Sequence, residues 1–195
     1  MEVGALVLTG GGSRRMGRDK ATLRLGDRTL AERTAAVLLE ADLTGPLLEV
    51  GPGVSGLEAV PDAVAGAGPL AAVATGAATF RAAGFAGPAV VVATDLPHLS
   101  PGLVSWLAGH PADGSVVPVH DARVQWLCAR YSPEALDRAG ALVAAGRSAV
   151  RELAGSTSLH LAGPEEWLVP AGGAGALDDL DTPDDLARVA AGPRP

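Results

Sequence analysis

The chain predicts an α/β fold in which a mostly parallel sheet is covered by helices on both faces. Short apolar runs of strand length alternate along the sequence with segments whose apolar residues recur at helical spacing. The runs are continuous rather than alternating, as in Ala89-Val90-Val91-Val92-Ala93-Thr94, which is the pattern of strands buried on both faces. Polar and glycine-rich segments follow directly on those runs, where open α/β sheets gather their functional residues.

Taken in order, Val3–Thr9 reads as the first strand, and Thr29–Ala41 as a helix with Leu30, Val37 and Leu38 on one stripe. Leu47–Val50 is a second short strand. Gly68-Pro69-Leu70 opens an Ala-rich helix running to about Ala83, its proline in the first turn where the missing N–H costs nothing. Ala89–Thr94 is the clearest buried strand, and Ser100-Pro101 begins another helix with serine as its cap. Ser115–Val119 and Val124–Arg130 read as further strands and Pro133–Ala145 as a helix. Thr182-Pro183, with Asp185 three residues on, starts a last helix whose dipole Asp184 and Asp185 complement. Gly51–Gly56 and Ala171–Ala176 are expected to be mobile glycine-rich loops, and Gly192–Pro195 a frayed tail. No internal repeat is visible.

With 195 residues the chain is expected to form a single domain spanning positions 1–195. It is 48% hydrophobic but only 3% aromatic, so Ala, Val and Leu must fill the core. A formal charge of −7 argues against binding to nucleic acid, whose phosphates an acidic surface repels. Cys128 is the sole cysteine, which allows neither an internal disulfide nor a cysteine zinc cluster and fits a reducing compartment. There is no basic leader segment and no bilayer-length apolar stretch, so the expectation is a cytoplasmic protein without membrane contact, monomeric or weakly homo-oligomeric.

Lys20 is the only lysine, and it ends the run Gly10-Gly11-Gly12-Ser13-Arg14-Arg15-Met16-Gly17-Arg18-Asp19-Lys20 directly after the first strand. Glycines expose backbone N–H groups and the cations neutralise an anion, so the loop is suited to phosphates. A compact ammonium fits between phosphate oxygens where a planar guanidinium is too broad. The P-loop pattern fails, because Arg18 and Asp19 follow Gly17, and the dinucleotide fingerprint fails at Arg15. Asp95, at the end of a strand and before Leu96-Pro97, suits magnesium, which takes one or two carboxylates and completes its shell with phosphate and water. Asp179 and Asp181 flank Leu180 and, in an extended segment, share a face that could make a second contact to the same metal. His98, His110, His120 and His160 are scattered without ligand spacing and read mostly as surface residues. No G-x-S-x-G elbow supports nucleophilic hydrolysis.

These pieces together resemble the molybdenum cofactor guanylyltransferases, the MobA-like nucleotidyltransferases. The opening Leu8-Thr9-Gly10-Gly11-Gly12-Ser13-Arg14-Arg15-Met16-Gly17-Arg18-Asp19-Lys20-Ala21 is similar to that family's L-A-G-G-x-S-x-R-M-G-x-D-K-A. Asp62, Gly68-Pro69-Leu70, Thr94-Asp95-Leu96-Pro97 and Asp181-Thr182-Pro183-Asp184-Asp185-Leu186 extend the likeness over nearly the whole chain. The resemblance implies a three-layer Rossmann-like nucleotidyltransferase fold. It places Leu8, Thr9, Gly10, Gly11, Gly12 and Ser13 along a nucleotide, with Lys20 and Arg14 or Arg15 on its phosphates. Gly51 and Asp62 would lie near guanine and ribose, and Asp95 with Asp181 at magnesium. Four positions depart from the family pattern: Thr9 stands for alanine, Asp179 and Asp181 for two asparagines, and Trp126 for proline.

The activity so implied is transfer of GMP from GTP to the phosphate of molybdopterin or its molybdenum-loaded form, with release of pyrophosphate. A related cytidylyl or other nucleotidyl transfer to a different phosphorylated acceptor, or a nucleotide-binding module without catalysis, stays open at this point.

Overall fold

The computed structural model describes residues 1–10, 20–63, 66–156, 158–182, 185, 187 and 189. Ten strands and five α-helices are formed by the described residues. In chain order they are β1 (Gly4–Leu8), β2 (Arg24–Leu25), β3 (Arg28–Thr29), α1 (Leu30–Glu40), β4 (Leu47–Val50), β5 (Ala59–Val60), α2 (Pro69–Ala82) and β6 (Ala89–Ala93). They continue with α3 (Pro101–Gly109), β7 (Ser115–His120), β8 (Arg123–Val124), β9 (Cys128–Tyr131), α4 (Pro133–Ala144), β10 (Leu159–Ala162) and α5 (Pro164–Ala171).

The main sheet runs β10-β7-β9-β6-β1-β4-β5, with β8 paired to β7 off the path. β1, β4, β5 and β6 are mutually parallel, as are β7 and β10, while β9 opposes both its neighbours. The sheet is therefore mostly parallel, as its continuous apolar strands require. Alternate residues of each strand feed different cores. Leu6, Leu8, Val91 and Val50 pack with α2 and α4 on one face. Ala5, Val7, Val90 and Val92 pack with α1, α3 and α5 on the other. Three layers result. In α2, a Cβ on Gly76 would come within 2.6 Å of Leu6, so glycine lets that helix lie close on β1.

Helix starts follow local chemistry. Thr29 caps α1 in a capping box, its Oγ1 accepting from Glu32 N (3.1 Å) and its own N donating to the Glu32 carboxylate (2.7 Å). Ser100 and Ser132 cap α3 and α4, each followed by proline at the first position. Thr182 and Asp185 make the reciprocal bonds expected of a helix start.

Three expectations are corrected. The run 124–130 is not one strand: a tight turn divides β8 from β9, closed by Trp126 N to Val124 O (3.1 Å) and Cys128 N to Gln125 O (3.0 Å). Val-Gln-Trp-Leu contains no turn-forming residue, so the break leaves no mark in the sequence. Residues 51–56 are not loose, because a buried carboxylate binds three of their backbone N–H groups. Residues 171–176 are also ordered: Ala171 closes α5, Gly172 adopts a left-handed cap, and Ala174–Leu177 forms a 3-10 turn.

Candidate active site

β1, β4, β5 and β6 end at one edge in register, Leu8 beside Val50 and Ala93, and Val50 beside Val60. The residues that follow those strands face one another across a cleft of about 740 Å³, a size suited to a small molecule. Gly10, Gly51, Pro61 and Asp62 line it with Leu127, and Gly68-Pro69 at the amino end of α2 closes one side. The cleft floor depends on close backbone approach. Gly51 has φ +152°, and a Cβ there would overlap Thr9 Oγ1 and lie 2.9 Å from Gly10 N. Only glycine meets both the conformation and the space.

Beneath that floor lies Glu49, fully buried in β4. Its Oε1 accepts from Thr9 Oγ1 (2.6 Å), Gly53 N (2.7 Å) and Val54 N (2.9 Å), and its Oε2 from Ser55 N (2.7 Å). Burial pushes this carboxyl up, but the bonds from Ser55, Thr9 and Val54 outweigh it and hold the group below the usual carboxylate range. Sequence reasoning missed Glu49. The available signal was a single charge in the apolar strand Leu47-Leu48-Glu49-Val50, which demands internal partners.

Beside the cleft, three stretches distant in sequence converge. Lys20 Nζ lies 2.8 Å from Asp181 Oδ1 and 3.8 Å from Asp95 Oδ2. Leu180, buried between the exposed Asp179 and Asp181, donates its N–H to Asp95 O (2.8 Å) and so fixes this segment on the end of β6. Burial pushes the Asp95 carboxyl above its ordinary value, opposed by Lys20 and reinforced by Asp179 and Asp181. Among the described residues, Asp95 and Asp181 thus share one ammonium, and Asp179 adds a further negative charge beside Asp95. An oxygen-only donor set with excess negative charge fits a hard divalent cation. A smaller groove of about 220 Å³ joins Asp95 and Asp179 to Gln125 and Trp126, and it shares Leu127 with the main cleft. Tyr131 shapes this groove from below by donating its hydroxyl to Trp126 O (2.7 Å).

Of the residues singled out from the sequence, Leu8, Gly10, Gly51 and Asp62 line the main cleft, and Lys20, Asp95 and Asp181 form the adjoining charged cluster. Thr9 turns its side chain down to Glu49, and its N–H donates to Val50 O (3.1 Å). Gly11, Gly12, Ser13, Arg14 and Arg15 lie outside the described residues.

The reading of the histidines as scattered surface residues is corrected. His110 and His160 both reach Glu166 Oε2, at 3.4 and 2.8 Å, and their rings lie 4.8 Å apart. Ala112 N donates to His110 Nδ1 (3.2 Å), which places the neutral ring's proton on Nε2 and directs it at Glu166. The trio is a hydrogen-bonded clasp joining α3, β10 and α5. The fold brings together what residue spacing separates.

The chain is similar in sequence and fold to several known proteins. Residues 5–160 match the model of the MobA-like NTP transferase domain. A protein of Mycolicibacterium paratuberculosis named "Probable molybdenum cofactor guanylyltransferase" is 37% identical over 167 residues, covering 78% of this chain and 81% of its own. Molybdopterin-guanine dinucleotide biosynthesis protein A of Archaeoglobus fulgidus superposes with a TM-score of 0.75 at 21% identity, over 98% of this chain and 97% of that one. Rv0371C of Mycobacterium tuberculosis, solved in complex with manganese, superposes at 0.68 with 17% identity, over 99% and 100%. The domain match covers the glycine loop, the cleft and Asp95, and by it this chain belongs to the MobA-like NTP transferase family.

Proposed function

We propose that the chain transfers the GMP unit of GTP to the terminal phosphate of molybdopterin, or of its metal-loaded form, and releases pyrophosphate. The observation that carries the reading is the cluster of Lys20, Asp95 and Asp181 at the edge of a nucleotide-sized cleft. The relative from M. paratuberculosis, named for this activity, supports it.

A phosphate monoester is mostly dianionic near neutrality, its second pKa being about 6, so the acceptor oxygen attacks without help from a protein base. One bond forms from that oxygen to the α-phosphorus of GTP, the bond from the α-phosphorus to the β-side bridging oxygen breaks, and pyrophosphate departs with the electron pair. The chain's task is to position and neutralise. Gly10 and Gly51 let the backbone approach the nucleoside, and Asp62 accepts hydrogen bonds from guanine or ribose on the cleft wall. Lys20 carries the charge of the phosphates. The groove beside Trp126 and Gln125 receives the acceptor next to Asp95. Arg14 and Arg15 would steady the departing pyrophosphate. Asp95, with Asp181, would hold magnesium, which supplies charge neutralisation at the phosphates when bound. The manganese complex of the similarly folded M. tuberculosis protein supports a divalent ion. A cytoplasmic setting follows from the substrates.

The carboxylates at 179 and 181 favour one second reading, transfer of another nucleotide such as CMP or to another phosphorylated acceptor. Lys20→Ala and Asp95→Ala each lower pyrophosphate release by about 10²–10³-fold while far-ultraviolet circular dichroism stays native. Near-normal turnover in either folded variant defeats the assignment.

A further inference from the structure

We propose that Glu49 is a positioning residue for nucleotide binding: an internal anion that holds both walls of the cleft in their binding form, with Thr9 as its coupled partner. The inference rests on the nucleotidyl-transfer reading, since the cleft it organises is the proposed nucleotide site.

The N–H groups of Gly53, Val54 and Ser55 converge on one carboxylate, an arrangement of successive backbone donors that ordinarily captures a bound anion. Here the protein supplies the anion itself. The same carboxylate accepts from Thr9 Oγ1, at the start of the glycine loop. Glu49 therefore ties together the two segments that lie over it, residues 9–10 after β1 and residues 51–55 after β4. The first contributes Gly10 to the cleft and the second Gly51 and Pro52. Gly51 is further held by donating its N–H to Val60 O (2.9 Å), so the anchored stretch runs on to Asp62. An alanine at position 9 would leave Oε1 without its shortest partner. The threonine in this chain and the glutamate below it form one device.

Charge is required, and isosteric amide will not serve. All four donors point inward, three at Oε1 and one at Oε2. Glutamine must place its NH₂ at one of those oxygens. At the Oε2 position it opposes the Ser55 N–H; at the Oε1 position it opposes those of Gly53 and Val54. Either way a buried donor is left without an acceptor, and the loop loses its fixed form. A nucleotide then binds only the fraction of molecules that have the cleft assembled, which weakens affinity without touching the reacting groups.

The test measures binding of GTP with magnesium by titration calorimetry, and steady-state pyrophosphate release, on the full chain and on Glu49→Gln, Glu49→Asp, Thr9→Ala and Thr9→Ser. Glu49→Gln raises the GTP dissociation constant and KM about tenfold or more, while kcat at saturation changes less than about threefold. Thr9→Ala raises the same constants by about threefold to tenfold, and serine, which keeps the hydroxyl donor, recovers most of that loss. The double variant Thr9→Ala/Glu49→Gln loses less than the product of the single effects. A folded Glu49→Gln chain with wild-type GTP affinity refutes the assignment. Should the glutamine and aspartate variants fail to fold, equal affinities for Thr9→Ala and Thr9→Ser refute it instead. A wild-type chain that binds GTP but none of whose variants weakens overturns this proposal alone; one that binds no nucleotide overturns the transfer reading, and this assignment with it.

Discussion

Replacing Gly51 by alanine probes the cleft floor, because two separate penalties meet at that residue. Its φ of +152° lies where an L side chain is strained, at about 1–3 kcal/mol. The added methyl would overlap Thr9 Oγ1, which the Glu49 carboxylate holds at 2.6 Å, and would sit 2.9 Å from Gly10 N. Neither neighbour is the free end of a flexible chain, so overpacking adds about 1–3 kcal/mol. The sum is about 2–6 kcal/mol, and a chain of this size loses about 2–4 °C in Tm per kcal/mol. Gly51→Ala should therefore melt about 4–24 °C below wild type. Gly56, with φ +84° and nothing within 4 Å, is the matched control in the same loop. Gly56→Ala meets only the left-handed backbone penalty of about 1–2 kcal/mol, so the two variants differ by about 2 kcal/mol. Thermal melts at one pH, with GTP titrations on the same samples, read both effects. Equal melting shifts for the two variants, with GTP affinity unchanged in Gly51→Ala, would refute the close-approach argument.

Glu49 also sets a pH dependence. Its folded pKa is depressed, so its stabilisation is present above the unfolded value of about 4.3 and is lost as pH falls through the lower folded value. Wild-type stability in urea should drop across that window, while Glu49→Gln shows a shallower acid slope; identical slopes contradict the latch. Tyr131→Phe removes the hydroxyl that holds Trp126 O, and should raise KM for the acceptor about threefold to tenfold while leaving KM for GTP near wild type. An equal rise in both constants contradicts the separation of the two grooves. Asp179→Asn with Asp181→Asn removes two carboxylates beside Lys20 and Asp95, and should raise the magnesium concentration for half-maximal activity by about threefold to tenfold. An unchanged magnesium titration would place the metal away from this cluster.

The layered α/β architecture is legible in the sequence because buried parallel strands write themselves as unbroken apolar runs, and β1 and β6 are such runs. Serine or threonine before a helical stripe, as at Ser100 and Ser132, marks helix starts equally well. The short pairs β2, β3 and β5 carry only two residues each and leave no periodicity to read. β10 lies on the sheet edge with only Ala162 buried, and α5 holds Pro170 inside it, so neither shows the pattern expected of its type. Lys20 stands out by rarity, Asp95 by position at a strand end and Asp181 by its alternation with Asp179 across Leu180, and the fold sets them side by side. Glu49 and the His110–His160–Glu166 clasp stayed hidden for a common reason. Each is defined by partners across the sheet or between layers, and a linear sequence shows a buried donor or acceptor but not what answers it.

In the proposed reading the Lys20–Asp95 edge and the Gly10–Gly51–Asp62 cleft act as one site for nucleotidyl transfer. Pyrophosphate release measured with GTP, CTP, ATP and UTP, each with and without molybdopterin and in the presence of magnesium, tests it most directly. Stoichiometric pyrophosphate is expected with GTP only when molybdopterin is present, and far less with the other three nucleotides. Tight GTP binding with no pyrophosphate from any combination, or turnover strongest with another nucleotide, would contradict it.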